Sequence, residues 1–475
     1  MSFGGGPPRP GRPLRPAEAP LPSLITRDDA VRAAHATDAS GLCLTPDAVA
    51  RPRSEAEVVE LLRDASGERT PVTAAGGQTS TTAASITDRG LLLSLRALDG
   101  VVDLDVTRRT VRVRAGTLLG DVKRAAAEAG LLLAPDPTSE EECTVGGAVA
   151  CNASGARTLA YGAMRAHVRA LRVALAGGDV IEWRRPGLEK NTAGFALAAD
   201  PVDWFVGSEG TLGVVVEAEL ALLPRPARVV GLAVPFAGEA AALEFVVAAR
   251  EAPALRPRCL EFFDGPSAAL FLEAGGQSPH GIGGLVYAET TSEDDDAEPP
   301  LDAWLALAES YGALESELRA YQDEGALRAA RRMRHAVPAT LNERGSACRA
   351  AGGRKVSTDW AVPYRRLADA IAVARTAAAR AGVEQAYIYG HAGNGHPHQN
   401  FVARDAAELA RIEAVVEETL RHVIGAGGTV SAEHGIGKLK RRWLPLQLSP
   451  LQLGVMRAVK RELDPLGILA PGNVL

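Results

Sequence analysis

AYIYGHAGNGHPHQNFVA, residues 386–403, alternates apolar and polar positions around Asn394-Gly395 and holds three of the chain's nine histidines. An Asn-Gly pair between such segments is the strongest short-range signal for a two-residue hairpin turn. With that turn His391 stands directly opposite His398, and opposed Cβ atoms lie about 4.5–5.5 Å apart, close enough for two imidazoles to share one ion. This reading puts Asn400 on the face of His398 and His396 on the other, so it selects a pair rather than a triplet. A His-rich surface turn is the alternative at this point.

The hairpin sits inside a larger pattern. RKVSTDWAVP (354–363) reads as a strand, a helix follows from Pro363 to Ala381, and another runs over about 405–424 after the hairpin. In that last helix Leu409, Ile412, Val416, Leu420 and Val423 make one apolar stripe, with Gly425 at its end. Upstream, ARVVGLAVPF, GEAAALEFVVAAR, PRCLEFF, GIGGLVYAET and a helix near 301–311 repeat the order β-α-β-β-α. Two such units predict a ferredoxin-like duplicated domain, one sheet backed by helices. The acidic SEDDDAEPP at 292–300 reads as a solvated loop within the first unit.

Towards the N-terminus, SEAEVVELLRDA (54–65) is a helix with a Ser cap and Glu three positions on. TPVTAAG, LLLSL, VVDLDV and TVRVRAG read as strands, TLLGDVKRAAAEAG as a helix stopped by Gly130, and HVRALRVAL with GDVIEW as a hairpin. The region from about 45 to 225 is therefore α+β or α/β, and α+β is the class expected for the chain as a whole. Residues 1–22, rich in Pro, Gly and Arg, read as a disordered tail.

Bulk properties narrow the function. A chain of 475 residues with 46% hydrophobic and 23% charged residues has the composition of a globular protein with two or three domains. A net charge of -6 gives no reason to expect nucleic acid as a partner. No apolar run is long enough to span a bilayer. The cysteines at 43, 143, 151, 259 and 348 are odd in number and scattered, as for reduced thiols in a cytoplasmic setting, and lack the spacing of an iron-sulfur site. Lysine is rare beside arginine, and Lys355, Lys438, Lys440 and Lys460 all fall in the last third.

Three small-residue segments suggest where a cofactor lies. AAGGQTSTT (74–82) ends a strand and offers close backbone approach with hydroxyl donors, which suits a phosphate. It is neither a Walker loop nor the dinucleotide fingerprint. APDPTSEEECTVGGAVACNASGARTLAYG (134–162) is a long irregular stretch of the kind that is usually functional. VGSEGTLGVVVEAEL (206–220) adds a third turn entering a strand. Together they point to a large, flat, phosphate-bearing cofactor lying against backbone.

In order along the chain, GGQTS, PDPTS, TVGGAVACNASG, YGAMRAHV, GSEGTLGVV, STDWAVP, HAGNGHPH, EHGIGKLK and LDPLGILAPGNVL make the sequence resemble the FAD-linked 2-hydroxy-acid dehydrogenases of the vanillyl-alcohol oxidase superfamily. That group includes D-lactate dehydrogenase, the flavoprotein subunit of glycolate oxidase and D-2-hydroxyglutarate dehydrogenase. The resemblance implies a PCMH-type FAD-binding domain over 45–225, a substrate and cap domain over 226–455, and a C-terminal segment, 456–475, that returns to the FAD domain. It carries over Gly76, Gly77, Gln78, Thr79 and Ser80 to the FAD pyrophosphate. Pro135, Asp136, Thr138, Gly146, Gly147, Asn152, Ser154, Gly155 and Gly162 match the lining of the dinucleotide and the flavin ring. Glu209, Gly210, Gly213 and Val215 match the turn near the adenosine half. The pyrophosphate loop lacks the His through which some relatives bind flavin covalently, so noncovalent FAD is expected.

The same resemblance assigns His391, His398 and Glu433 to a divalent ion, Zn or Mn, and His434 to the base that takes the substrate hydroxyl proton while hydride leaves for flavin N5. Arg334 matches a carboxylate-binding Arg; Asn400 and Lys355 are further pocket candidates, and Lys438 is a pocket or surface lysine. The expected reaction is oxidation of a small D-2-hydroxy acid, D-lactate-like, to the 2-oxo acid. A quinone, a cytochrome or an electron-transfer flavoprotein would take the electrons. A homodimer and peripheral association with the inner membrane are compatible with this reading. The alternatives are a subunit of a multi-subunit glycolate oxidase, an enzyme like alkylglycerone-phosphate synthase, or a metal-binding module or hydrolase without flavin. Asn394, His396 and Ala470 depart from the family pattern, which carries an acidic residue, Asn and Asn there.

Overall fold

The computed structural model describes residues 24–195, 199–292, 298–384 and 386–475. The tail at 1–22 and most of the acidic stretch at 292–300 lie outside them. Two sheet systems follow one another along the chain. The first holds a small sheet of β1 (Ile25–Thr26), β2 (Ala48–Ala50), β3 (Val72–Ala75) and β4 (Leu91–Ser94), in the order β1-β2-β4-β3. Beside it β5 (Val101–Asp105), β6 (Thr110–Arg114), β8 (Val168–Ala174), β9 (Val180–Arg184) and β10 (Val214–Ala221) form an antiparallel sheet in the order β5-β6-β10-β8-β9. Short β7 (Leu131–Leu132) pairs with β11 (Leu223–Pro224). The expected hairpin is present, Ala174 facing Val180 across β8 and β9.

Helices α1 (Glu55–Glu68), α2 (Leu119–Glu128) and α3 (Val145–Ala150) close this half. Ser54 caps α1 by accepting from Glu57 N, as its sequence predicts. One apolar core joins Val58 and Leu62 of α1, Val122 of α2 and Val149 of α3 to Val111, Leu171 and Val216 of the sheet.

The second system is a single seven-stranded antiparallel sheet. It comprises β12 (Arg228–Phe236), β13 (Pro257–Asp264), β14 (Gly284–Ser292), β15 (Arg319–Tyr321), β16 (Gly352–Ser357), β17 (Ala386–His391) and β18 (His396–Asp405), ordered β15-β12-β14-β13-β17-β18-β16. The two predicted β-α-β-β-α units are its halves, joined where Phe262 and Phe263 of β13 pair with Gly390 and Tyr389 of β17. Helices α4 (Glu239–Glu251), α6 (Leu301–Ser310), α8 (Leu367–Arg380) and α9 (Ala406–Gly425) share a core with Leu260, Phe262, Val286, Ile388, Phe401 and Ala403. Strand alternation sends Phe263, Leu285, Tyr287, Tyr389 and Val402 to the opposite face, where α5 (Gly265–Ala274) and α7 (Glu324–Ala347) cover them. Helices thus cover both faces of the one sheet. The face under α7 carries the polar residues that matter below.

The hairpin differs from its two-residue expectation. His391 pairs with His396, and Tyr389 with His398, across a four-residue loop. Ala392–Asn394 forms a helical turn, closed by Gly395 N donating to Ala392 O at 2.8 Å, with Gly395 at φ 68°. This moves the register by two residues, so every side chain keeps its face. His391 and His398 become diagonal neighbours. His396, expected on the opposite face, lies two residues from His398 and therefore shares its face.

Past the sheet, α10 (Pro450–Leu463) leads the chain back to the first half. Leu469 bridges Val72 of β3, with Val72 N donating to Ile468 O at 2.8 Å and Ala470 N to Val72 O at 2.7 Å.

Candidate active site

The polar face of the seven-stranded sheet brings His391, His396, His398 and Glu433 together. One ligand atom from each lies within 4.8 Å of the others. Glu433 Oε2 is 3.4 Å from His391 Nε2 and Glu433 Oε1 is 3.2 Å from His398 Nε2. Bonds of about 2.0–2.1 Å to a tetrahedral ion place neighbouring donors roughly 3.3 Å apart, so these separations suit ligands sharing one metal. The donor set, imidazole nitrogen plus carboxylate oxygen, is that of Zn or a similar transition ion. His398 Nδ1 is buried without a hydrogen-bond partner among the described residues.

Two carboxylates that sequence reasoning did not assign organise the cluster. Glu261 of β13, fully buried, accepts from His391 Nδ1 at 2.5 Å and Arg334 Nε at 2.6 Å. A carboxylate on the far nitrogen of an imidazole fixes the ring so that Nε2 faces the ligand position. Burial disfavours charge on His391, but Glu261 and Glu433 outweigh it and raise its pKa to about 10. Burial lowers that of His398 to about 4.

Asp359, in the STDWAVP strand end, accepts from His434 N at 2.9 Å, Glu433 N at 3.2 Å, Ser431 Oγ at 2.7 Å and buried Lys440 Nζ at 2.6 Å. It therefore holds the loop carrying Glu433 and His434 in place. His434 stacks on His398 with ring centroids 5.4 Å apart. Its Nε2 lies 3.4 Å from Glu433 Oε1 and its Nδ1 3.7 Å from Asp359 Oδ1.

Arg334 reaches the cluster from α7. Nε is taken by Glu261 and Nη2 lies 3.5 Å from His391 Nδ1. Asn400 is fully buried; its Nδ2 donates to His398 O at 2.9 Å and its Oδ1 is unpaired among the described residues. Lys355 shares that face but donates to Asn342 of α7 at 2.9 Å, and no hydrogen bond among the described residues ties it to the cluster. Burial depresses its pKa to about 8. Lys438 is turned towards the first half, donating to Ala83 O and to Asn473 Oδ1 at 2.7 Å.

The flavin-lining candidates meet this cluster from the other side. Ser154 Oγ donates to Glu433 Oε2 at 3.3 Å. Arg157, also unassigned from sequence, makes a two-pronged contact with Glu289 of the cap sheet at 2.9 and 3.0 Å and pairs with Asp136 at 3.0 Å. Pro135 and Asp136 are buried, whereas Thr138 is exposed. Gly146 and Gly147 open α3 and Gly162 ends a short helix. A Cβ on Gly155 would strike Asp136 O. Asn152 accepts from Arg165 N at 2.9 Å. Glu209 accepts from Ile436 N at 2.6 Å and Gly437 N at 2.7 Å, so its carboxylate anchors the EHGIG loop. Gly210 lies beside it, Gly213 packs on Val173, and Val215 is buried in β10.

Loop 76–80 fits an anion. A Cβ on Gly77 would lie 2.1 Å from Glu142 O, so only glycine lets the two segments touch. Gln78 turns into the left-handed region at φ 55° and anchors its side chain on His35 O and Thr37 O. From Gly76 to Thr81 no backbone N–H donates to an acceptor among the described residues. Such a half-buried row of donors, with the Thr79 and Ser80 hydroxyls beside it, is a cradle for phosphate oxygens.

Known proteins resemble the chain along most of its length. Residues 46–184 match the FAD binding domain and residues 225–474 the C-terminal domain of FAD linked oxidases. The chain is 31% identical to glycolate oxidase subunit GlcD of Bacillus subtilis and 31% identical to D-2-hydroxyglutarate dehydrogenase of Xanthomonas citri, each over 90% of this chain and 89% of the relative. It is 28% identical to D-lactate dehydrogenase of Anaerostipes hadrus over the same shares. Among solved structures, p-cresol methylhydroxylase superposes with a TM-score of 0.73 at 15% identity, covering 95% of this chain and 93% of that one, which shows a shared fold. Among the described residues no helix is long and apolar enough to cross a membrane.

Proposed function

The chain belongs to the FAD-linked oxidases, in the group of D-lactate, glycolate and D-2-hydroxyglutarate dehydrogenases, and on that premise we propose that it oxidises a small D-2-hydroxy acid, D-lactate-like, to the 2-oxo acid. The observation that carries the proposal is the Ser154–Glu433 contact, which joins the flavin-lining segment to a His-His-Glu cluster beside a buried arginine. Bound FAD supplies the acceptor for the α-hydrogen and its electron pair. A divalent ion, which His391, His398 and Glu433 would hold, would polarise the α-hydroxyl.

The chain's own residues do the rest. Arg334 binds the substrate carboxylate through the open edge of its guanidinium, Glu261 fixing its Nε. His434 Nε2 takes the hydroxyl proton, and Asp359 beside Nδ1 stabilises the resulting imidazolium. Buried Asn400 keeps its unpaired Oδ1 on the pocket face.

The test is reduction of an artificial acceptor by D-lactate, glycolate and D-2-hydroxyglutarate. D-lactate should be the best of the three, and each L-isomer should be poor. Glu433→Ala and His434→Ala should each lose at least roughly 100-fold in turnover, the order of a general base, while retaining FAD. Wild-type rates in both variants would overturn the mechanism.

A further inference from the structure

We propose that His396 is a fourth protein ligand of the metal centre, so that this chain offers the ion three imidazoles and one carboxylate. The inference rests on the metal reading given under Proposed function and extends it. His396 is 4% exposed, and its ring centroid lies 4.6 Å from that of His398 and 5.3 Å from that of His391. One ligand atom from each of the four residues lies within 4.8 Å of the other three.

Its Nε2 is buried and has no hydrogen-bond partner among the described residues. Asp359 Oδ1 is only 3.0 Å away, but it lies out of line for a hydrogen bond. That carboxylate already accepts from Ser431, Lys440 and two backbone N–H groups. Three of these fall on Oδ2, and Oδ1 accepts from Glu433 N at 3.2 Å. An unpaired buried nitrogen beside two other imidazoles and a carboxylate is what a ligand position looks like before the ion is drawn in.

The second possible grouping, Asp359 with His398, Glu433 and His434, is the weaker one. An ion there would sit against the Lys440 ammonium, which is 2.6 Å from Asp359 and itself buried. Cation repulsion at low dielectric disfavours it.

Three nitrogen donors and one carboxylate suit Zn or Co, whereas Mn is served better by oxygen donors. Four protein ligands also fill a tetrahedral sphere, so substrate would enter by expansion to five-coordination.

X-ray absorption of the Zn-loaded wild-type flavoprotein tests this without a variant: three imidazoles per Zn are expected, and two would overturn the proposal. Titration of Zn into metal-stripped His396→Asn, with flavin absorbance as the folding control, should show Kd weakened at least about 10-fold, the lower range even for an outer partner of a ligand. An unchanged Kd in His396→Asn, with Zn binding lost in His391→Ala, overturns the role of His396 while the two-His, one-Glu centre stands. Failure of the wild type to bind Zn at all overturns both.

Discussion

Glu261 and Asp359 show how much of the cluster depends on carboxylates outside the proposed set of metal ligands. Glu261 is fully buried between two cationic groups, and although burial alone would raise its pKa, Arg334 and His391 hold it far below the usual carboxylate range. Removing one member of such a set leaves an uncompensated buried charge, which costs about 3–5 kcal/mol. Glu261→Gln should therefore unfold at lower denaturant concentration and bind Zn roughly 10- to 100-fold more weakly, because the His391 ring loses its orienting carboxylate. Denaturation and metal titration check the two effects separately; unchanged Zn affinity would make Glu261 a purely structural partner of Arg334. Asp359→Asn should cost a similar amount by stranding Lys440, and the double change with Lys440→Met should recover part of it, since removing both charges is far milder than removing one. No recovery in the double mutant would mean that Asp359 acts through the backbone of Glu433 and His434 instead.

Element by element, the strands and helices were legible because their periods are regular, while the hairpin register was not. Asn394-Gly395 signals a turn, and the turn is there; its length depends on where Gly395 must sit against a neighbouring segment. A Cβ on Gly395 would lie 2.0 Å from Val362 O, and its φ of 68° is in the left-handed region. That contact comes from the start of the segment leading into α8, about thirty residues upstream, and no local pattern reports it. Glu261 was hidden for a related reason: in PRCLEFF it reads as one polar residue in an apolar strand, and only the pairing of β13 with β17 brings it to His391. The motif histidines, Glu433 and Arg334 were found because a resemblance carries residue identities, which geometry then gathers. Gly395→Ala should lower stability by more than the roughly 1–2 kcal/mol of left-handed strain alone, given the clash with Val362 O. Gly454→Ala, in exposed α10 with nothing within 4 Å of its Cβ position, should instead stabilise by about 0.5–1 kcal/mol. Thermal unfolding of the two variants against wild type checks the opposite signs.

Across the whole molecule the two sheet systems are tied by polar bridges that close the site between them: Ser154 with Glu433, Glu209 with the EHGIG backbone, and Arg157 with Asp136 and Glu289. The Arg157 bridge spans 132 residues of sequence, so composition and spacing could not reveal it. It gives the contact a defined pH dependence. Burial would raise the pKa of Glu289, but Arg157 and Arg258 outweigh it and lower the value from 4.5 to about 2. A carboxylate whose folded pKa lies below its unfolded one stabilises the fold fully above about 4.5, and that contribution is lost as pH falls towards about 2. Glu289→Gln removes the charge at every pH. It should be clearly less stable than wild type at pH 7, because Arg157 and Arg258 are left facing a neutral amide. The difference should then shrink between about pH 4.5 and pH 2, where the wild-type carboxylate itself becomes neutral. Denaturant unfolding of the pair at pH 7, 4 and 3 isolates this group from the other carboxylates, which titrate alike in both proteins. A deficit that stays constant down to pH 3, or grows with acid, would show that Glu289 is not held ionised by the arginines and that the bridge does not clamp the two halves electrostatically.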